Sequence, residues 1–403
     1  MHREDSPKNA SIPLNVFLVI VDHIVGGLSS KASGVATVLT ELTAAQSDLG
    51  IATTVFSTDC VSSGLRSVPV KSPVKSISPP GRWLGRLCYS PALRRELDSL
   101  IPQGDVVHIH SLWTMPNAYG SSLAKKHGKP VVFSPHGSLE TWALNRHRWK
   151  KRICEEMFQR RDLEQANCVH ALSHTEADSI RGYGLTNPIA VIPNGINLSA
   201  YENLPDRSVL LNSYPQLTDK RIVLFLSRLH PKKGLQHLVE AWRKIVVDNQ
   251  DVQLVIAGPD NGHEAIIRGL VSDLELDSSV LFTGPLYGEQ KLAALAAADL
   301  FVLPSFSEGF SMAILEAMAC ELPLLISRNC SFPEVANSEA GLECESDVTS
   351  TEEGLRKILS MTNDERQSMG RNGRKLVEQR YTWDRIAKQF LELYERVVNG
   401  EEA

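Results

Sequence analysis

The chain has 403 residues, more than one ordinary core accommodates, so two domains of roughly 150–200 residues are expected. Hydrophobic residues at 42% and charged residues at 22% are ordinary for globular protein, and a net charge of −5 argues against non-specific nucleic-acid binding by the whole chain, which needs a basic surface. The seven cysteines are odd in number, scattered and without a Cys-x-x-Cys pair, which fits reduced thiols better than a disulfide scaffold or a zinc site.

In chain order, the first apolar run, Val16 to Val21, is far shorter than the ~20 residues of a membrane span. It follows the polar stretch His2 to Ser11 and has no small-residue cleavage site behind it, so no signal peptide is expected. The expected location is the cytoplasm, with peripheral contact at the inner membrane face left open. Short β-branched runs then alternate with amphipathic segments, the pattern of parallel α/β architecture. In the first half the runs predict strands over 14–21, 51–56, 106–110, 131–134, 168–172 and 189–192. In the second half they predict strands over 222–227, 252–257, 280–282, 300–303 and 324–327. Helices are expected over 36–48, 234–247, 289–298 and 311–320. Four prolines and several serines make 66–81 a loop, and polar sequence between Asn203 and Lys220 divides the two series. A last helix near 383–397 carries Ile386, Phe390, Leu393 and Val397 at helical spacing and must pack on something. The expected architecture is two doubly wound units with a ligand crevice between the carboxyl ends of their strands.

The chemistry concentrates at those ends. Glu308 lies in a Gly-containing turn after a strand, and Glu316 follows on the helix that the turn begins. Glu316 sits among Ala313, Ile314, Leu315, Ala317, Met318 and Ala319, so it is expected to be buried and to need a partner, which ribose or hexose hydroxyls would supply. Arg228 ends the strand 222–227, and Lys232 and Lys233 stand at the mouth of the next helix. An arginine fork, a lysine point charge and helix amides together can neutralise a diphosphate. Alone, these cations read equally well as solvent-facing groups in a βα loop.

His136, in Ser-Pro-His-Gly-Ser, and His110, followed by Trp113, both end strands of the first half and are expected to face the crevice; His108 is expected to point elsewhere. Ser33-Gly34 opens the first long helix, without either the G-x-G-x-x-G or the G-x-x-x-x-G-K-[ST] pattern. There is no Asp-x-Asp pair and no His/Asp/Glu cluster at metal-ligand spacing, so neither a metal nor another cofactor is implied. The basic segment from Arg146 to Arg152 begins a helix with Trp149, Ile153 and Met157 on one stripe. Such a stripe either packs on the core or docks on an anionic lipid surface.

These residues resemble the retaining glycosyltransferases of family 4, which have the GT-B fold. The resemblance rests on Glu308-x7-Glu316, Ser-Arg-Leu-x-x-Lys-Lys-Gly at 227–234, Ile-Pro-Asn-Gly-Ile at 192–196, Ser-Pro-His-Gly at 134–137 and Tyr-Thr-Trp-Asp at 381–384. It implies an acceptor-side domain over 1–205, completed by the helix 385–403, and a nucleotide-sugar domain over 206–384. It further implies that Arg228 and Lys233 hold the diphosphate, that Glu308 binds donor-sugar hydroxyls and that Glu316 binds the ribose. Gly309, Phe310, Ser311 and Met312 would offer amides, His136 would meet the sugar beside the reaction centre, Ser33-Gly34 would close on the phosphates, and the main chain near Leu286 would meet the base. His110 and Trp113 are taken as acceptor-side residues. Members generally work without a metal. Two positions depart from the family: Glu321 stands where Gly is common, at a cost of order 1 kcal/mol in a left-handed cap, and Ser33-Gly34 replaces a pair of glycines.

The expected activity is transfer of a hexose from a nucleotide diphosphate sugar to a glycan, lipid-linked or small-molecule hydroxyl with retained configuration, in polysaccharide or glycoconjugate synthesis by family analogy. A nucleotide-sugar epimerase of the same fold and a glycan-assembly subunit without turnover are the competing readings. Free epimer without acceptor glycosylation would identify the first.

Overall fold

The computed structural model describes residues 19–27, 34–58, 75–77 and 87–401. Two wholly parallel sheets organise it. The first contains β1 (Ile20–Val25), β2 (Ala52–Phe56), β3 (Lys75–Ile77), β4 (Val106–His110), β5 (Val131–Ser134), β6 (Cys168–Ala171) and β7 (Ile189–Val191), in the order β3-β2-β1-β4-β5-β6-β7. The second contains β8 (Arg221–Leu226), β9 (Val252–Ala257), β10 (Val280–Gly284), β11 (Leu300–Leu303), β12 (Leu324–Ser327) and β13 (Gly341–Cys344), in the order β10-β9-β8-β11-β12-β13. Each order reverses beside its first strand, where a doubly wound sheet opens a ligand crevice at its carboxyl edge. The chain thus has the two-sheet GT-B architecture.

The central strands β4, β9 and β11 are mostly apolar and bury every residue, His108 and His110 of β4 included, as parallel strands covered on both faces require. The second core runs continuously from Ile222 on β8 through Trp242 and Phe301 to Val377. The first sheet carries separate cores on its two faces. One includes Phe56, Ile109 and Phe133; the other includes Val21, Val106 and Val132. That second face is closed by the last helix, Trp383–Asn399, through Trp383, Ile386, Phe390, Leu393, Tyr394 and Val397. The chain therefore ends by packing on the domain with which it began.

Four elements differ from expectation. The first strand runs from Ile20 to Val25, not 14–21; residues 14–18 lie outside the described ones. Asp22 and His23 interrupt its apolar run, yet both are buried, and both ring nitrogens of His23 have partners inside the fold. Within the expected loop 66–81, Lys75–Ile77 forms the edge strand β3; the rest lies outside the described residues. The short strand β13 was not apparent, because Glu343 breaks its pattern. The polar stretch 203–220 contains the helix Arg207–Ser213, which buries Leu210 and anchors by Arg207 to the carbonyl of Ala297 at 3.0 Å.

Candidate functional site

In the second domain, two neighbouring carboxyl ends are drawn together by one glycine. Gly234 has φ +70°, and a Cβ there would collide with the Pro304 carbonyl at the end of β11. Only glycine lets the Lys232-Lys233 turn lie against 304–306, where the amide of Phe306 donates to the Lys232 carbonyl at 2.8 Å. This approach brings Lys233 Nζ to 2.5 Å from Glu308 Oε1, which also accepts from Ser305 Oγ at 2.6 Å. Both ends of the pair are about nine-tenths buried, with side-chain exposures of 10% and 9%. Arg228, at the end of β8, is exposed and forms no ion pair among the described residues. It is free to take an anion.

The turn after Glu308 leads into the helix Met312–Ala319. The amides of Gly309, Phe310, Ser311 and Met312 donate to no carbonyl or side chain among the described residues, as expected where a helix begins. Glu316 on that helix is half-buried and meets Lys291 Nζ at 2.8 Å. The partner required by its burial is thus an ammonium group, not ligand hydroxyls alone. Leu286 is buried just beyond β10. Glu321 has φ +57°, the left-handed cap expected of a glycine.

Across the crevice, β5 ends in Pro135 and a tight turn in which His136 (φ +51°) and Gly137 (φ +73°) are both left-handed. The buried carboxylate of Glu176 clamps this turn by accepting from the amides of Gly137 at 2.5 Å and Leu172 at 2.8 Å. Burial raises the Glu176 pKa above the ordinary carboxylate range, opposed by those two amides. The domains meet here: a Cβ on Gly309 would lie 3.8 Å from Gly137 Cα and 3.0 Å from Glu140 Oε1. Glu140 Oε2 accepts from Lys232 Nζ at 2.8 Å and from Ser307 Oγ at 3.0 Å, tying the two faces together.

Glu140 and Glu176 were both missed in the sequence. Glu140 had a signal in its place four residues after His136, on the loop that ends β5. Glu176 had only its position in the first turn of a helix capped by Ser173.

Two expectations about the first domain change. His110 is 2% exposed and does not line the crevice; it reaches that surface only through His136, whose Nε2 lies 3.1 Å from His110 Nδ1. His108 does not point elsewhere. Residues two apart on a strand share a face, and the rings of His108 and His110 lie 4.1 Å apart. Trp113 is half-buried with φ +69°, and its amide donates to Gln159 Oε1 at 2.8 Å. Gly34 begins the helix Gly34–Asp48, whereas Ser33 lies outside the described residues.

One cluster was invisible to sequence spacing: ring nitrogens of His23, His108 and His110 lie within 4.8 Å of one another, all buried. An interdomain cavity of about 530 Å³ is lined by Ser173, Phe310, Phe332, Tyr381 and Arg385 among others, and includes neither Lys233 nor Glu308.

Residues 32–200 match the family described as Glycosyltransferase Family 4, and residues 207–376 match the family described as Glycosyl transferases group 1. The chain is 29% identical to the alpha-maltose-1-phosphate synthase of Mycolicibacterium smegmatis over 72% of its own length and 79% of that protein. It is 28% identical to the N-acetyl-alpha-D-glucosaminyl L-malate synthase of Bacillus anthracis, over 74% of this chain and 76% of that one. Its fold is similar to that of Anabaena Alr3699/HepE in complex with UDP and glucose, with a TM-score of 0.73, 18% identity, and coverage of 94% of this chain and 99% of that one. The chain belongs to glycosyltransferase family 4 and is a glycosyltransferase of the GT-B type.

Proposed function

We propose that the protein moves a hexose from a nucleotide diphosphate sugar to an acceptor hydroxyl with the anomeric configuration retained and without a metal. The observation that carries this reading is the buried Lys233–Glu308 pair in the domain that also exposes Arg228, which has no ion pair among the described residues, with Gly309 facing Gly137 of the His136 turn. Arg228 and Lys233 would hold the diphosphate, and the amides of Gly309 to Met312 would face the sugar and phosphate. Glu308 would grip sugar hydroxyls, Glu316 the ribose, and the main chain at Leu286 the base. The bond from the anomeric carbon to the diphosphate breaks with its electron pair moving to the phosphate oxygen, where fixed cations and amides stabilise it without reorganising. The acceptor oxygen bonds to the same face of that carbon, and its proton passes to the departing phosphate oxygen.

Relatives include proteins named as an N-acetyl-alpha-D-glucosaminyl L-malate synthase and an MMP alpha-(1->4)-mannosyltransferase, names that support a hexose donor. The solved structure bound to UDP and glucose supports a nucleotide-sugar crevice on this fold. A panel of UDP-, GDP- and ADP-hexoses with glycan and lipid-linked acceptors, with and without EDTA, tests the reading. Transfer with an α-donor giving an α-product in EDTA is expected. Free epimer as the sole product, or an inverted linkage, would refute it.

The acceptor is proposed to be a glycan or lipid-linked saccharide approached at the membrane surface, as in polysaccharide or glycoconjugate assembly on the cytoplasmic side. No helix among the described residues is long and apolar enough to cross a membrane. The stripe on the basic helix does not pack on the core: Trp149, Ile153 and Met157 are exposed, flanked by Arg148, Lys150 and Arg152. That is the composition of a surface that lies on anionic headgroups. Sedimentation with phosphatidylglycerol vesicles but not with phosphatidylcholine vesicles is expected, and Trp149→Ser should abolish it.

A further inference from the structure

Behind His136, eight hydrogen bonds form one unbroken chain through the first domain. It starts at a group that can only accept, the carbonyl of Ile192, 2.7 Å from His170 Nε2. His170 therefore carries its proton on Nε2 and accepts at Nδ1 from Ser134 Oγ at 2.6 Å. With its proton spent, Ser134 accepts from His108 Nε2 at 2.6 Å, and His108 Nδ1 accepts from the Tyr394 hydroxyl at 2.7 Å. Tyr394 in turn accepts from Gln46 Nε2 at 3.1 Å, and Gln46 Oε1 accepts from His23 Nε2 at 2.8 Å. His23 Nδ1 then accepts from His110 Nε2 at 2.9 Å, and His110 Nδ1 from His136 Nε2 at 3.1 Å. Every donor is used once and every direction follows from the one before.

The logic requires five neutral rings, and burial supplies that condition. Desolvation is the largest influence on all of them, lowering His23 and His170 to about 4, His136 to about 3, and His108 and His110 well below the ordinary value.

We infer that this chain makes His110 a positioning residue: it holds His136 as the neutral Nε2–H tautomer, leaving Nδ1 as a hydrogen-bond acceptor on the half-buried ring at the crevice wall. Reversing the chain means rotating two hydroxyls, flipping the Gln46 amide, moving all five protons and setting a lone pair against the Ile192 carbonyl. A buried polar network is strong when every member is satisfied and costly when one is not. A sugar hydroxyl would then donate to His136 and not accept from it, a polarity that discriminates among hydroxyl orientations. This catalytic meaning rests on the proposed placement of the donor sugar beside His136; the tautomer itself does not. The clustered nitrogens of His23, His108 and His110 do not require a metal, because both nitrogens of each ring are already engaged in the chain.

The test is long-range proton–nitrogen NMR on the full chain labelled with ¹⁵N-histidine, with His136→Gln assigning the terminal ring. The five rings are expected as neutral Nε2–H tautomers at pH 7.5. A charged or Nδ1–H His136, or nitrogen shifts that appear with added zinc and vanish with EDTA, would overturn the inference. His110→Leu should mix the His136 tautomers and lower kcat by about tenfold with little change in KM. His110→Gln, whose amide can both accept and donate, should restore the single tautomer and most of kcat; equal loss in both variants refutes positioning. Should His110→Leu fail to fold, Tyr394→Phe frees the Gln46 amide to flip, and a mixed His136 signal is expected there. An intact tautomer pattern in a protein that transfers no sugar would count against the proposed function and leave this inference standing.

Discussion

The two walls of the crevice are built on opposite electrostatic principles. The second domain presents charge: Lys233 against Glu308, Glu316 against Lys291, and Arg228 and the turn's amides without partners among the described residues. Apart from Glu140, whose carboxylate pairs with Lys232 across the crevice, the first domain presents at His136 a neutral ring backed by a buried hydrogen-bond chain, on a turn clamped by Glu176. A charged wall can bind and stabilise a diphosphate wherever its oxygens fall. A neutral, directional wall can only read geometry. The division suits the proposed reaction, whose leaving group is highly charged and whose transferred group is a neutral polyol.

The strongest way to break that contrast is to remove charge from the second wall. Lys233→Ala should lower kcat/KM by about 10²–10³-fold in a transfer assay, comparable to removing one preorganised donor at a developing anion. A loss below tenfold would place the charge requirement elsewhere. Acid tests the first wall. The buried histidines stay neutral to about 4 in the native chain but protonate near 6.5 when unfolded. The unfolded chain therefore takes up protons that the native chain refuses as pH falls from 6.5 to 4. Stability should drop through that window, by about 1.4 kcal/mol per pH unit for each such ring, and be flat above it. Melting temperatures between pH 4 and 8 check this, and His170→Gln should flatten the slope.

A smaller effect is expected where the walls meet. Glu140→Gln weakens the Lys232 bond across the crevice while keeping shape, and should raise donor KM about threefold to tenfold and widen the particle in X-ray scattering with nucleotide diphosphate. The smallest lies outside both walls: Glu321→Gly relieves a left-handed side chain and should stabilise the fold by about 0.5 kcal/mol without altering turnover.

Much of the fold is legible in the sequence alone. The parallel strands announced themselves as apolar runs, and β4, β5, β9, β11 and β12 have the expected bounds. The charged wall was legible too, because Arg228, Lys233, Glu308 and Glu316 stand at strand ends within two short motifs. Of the first wall only His136, in its Ser-Pro-His-Gly motif, and His110, at a strand end, were marked in this way. The chain behind them was not: His23, Gln46, His108, His170 and Tyr394 are spread along the sequence, and none has a spacing that joins it to the others. His23 even disguised its own strand, since a histidine in an apolar run reads as a terminus until its partners are known.

What the sequence by itself determined, then, is the class of fold, the family and the charged residues to which the proposed donor site is assigned. All three depend on local patterns: hydrophobic periodicity along a strand, and charges at the turn where a strand meets a helix. Only the tertiary structure decided which carboxylates are paired, that Glu140 bridges the domains, and that the last helix carries Tyr394 back to complete the chain behind His136. The reason is physical. A buried polar group is tolerated only with partners, and those partners become neighbours only when residues as far apart as His23 and Tyr394 are folded into one core.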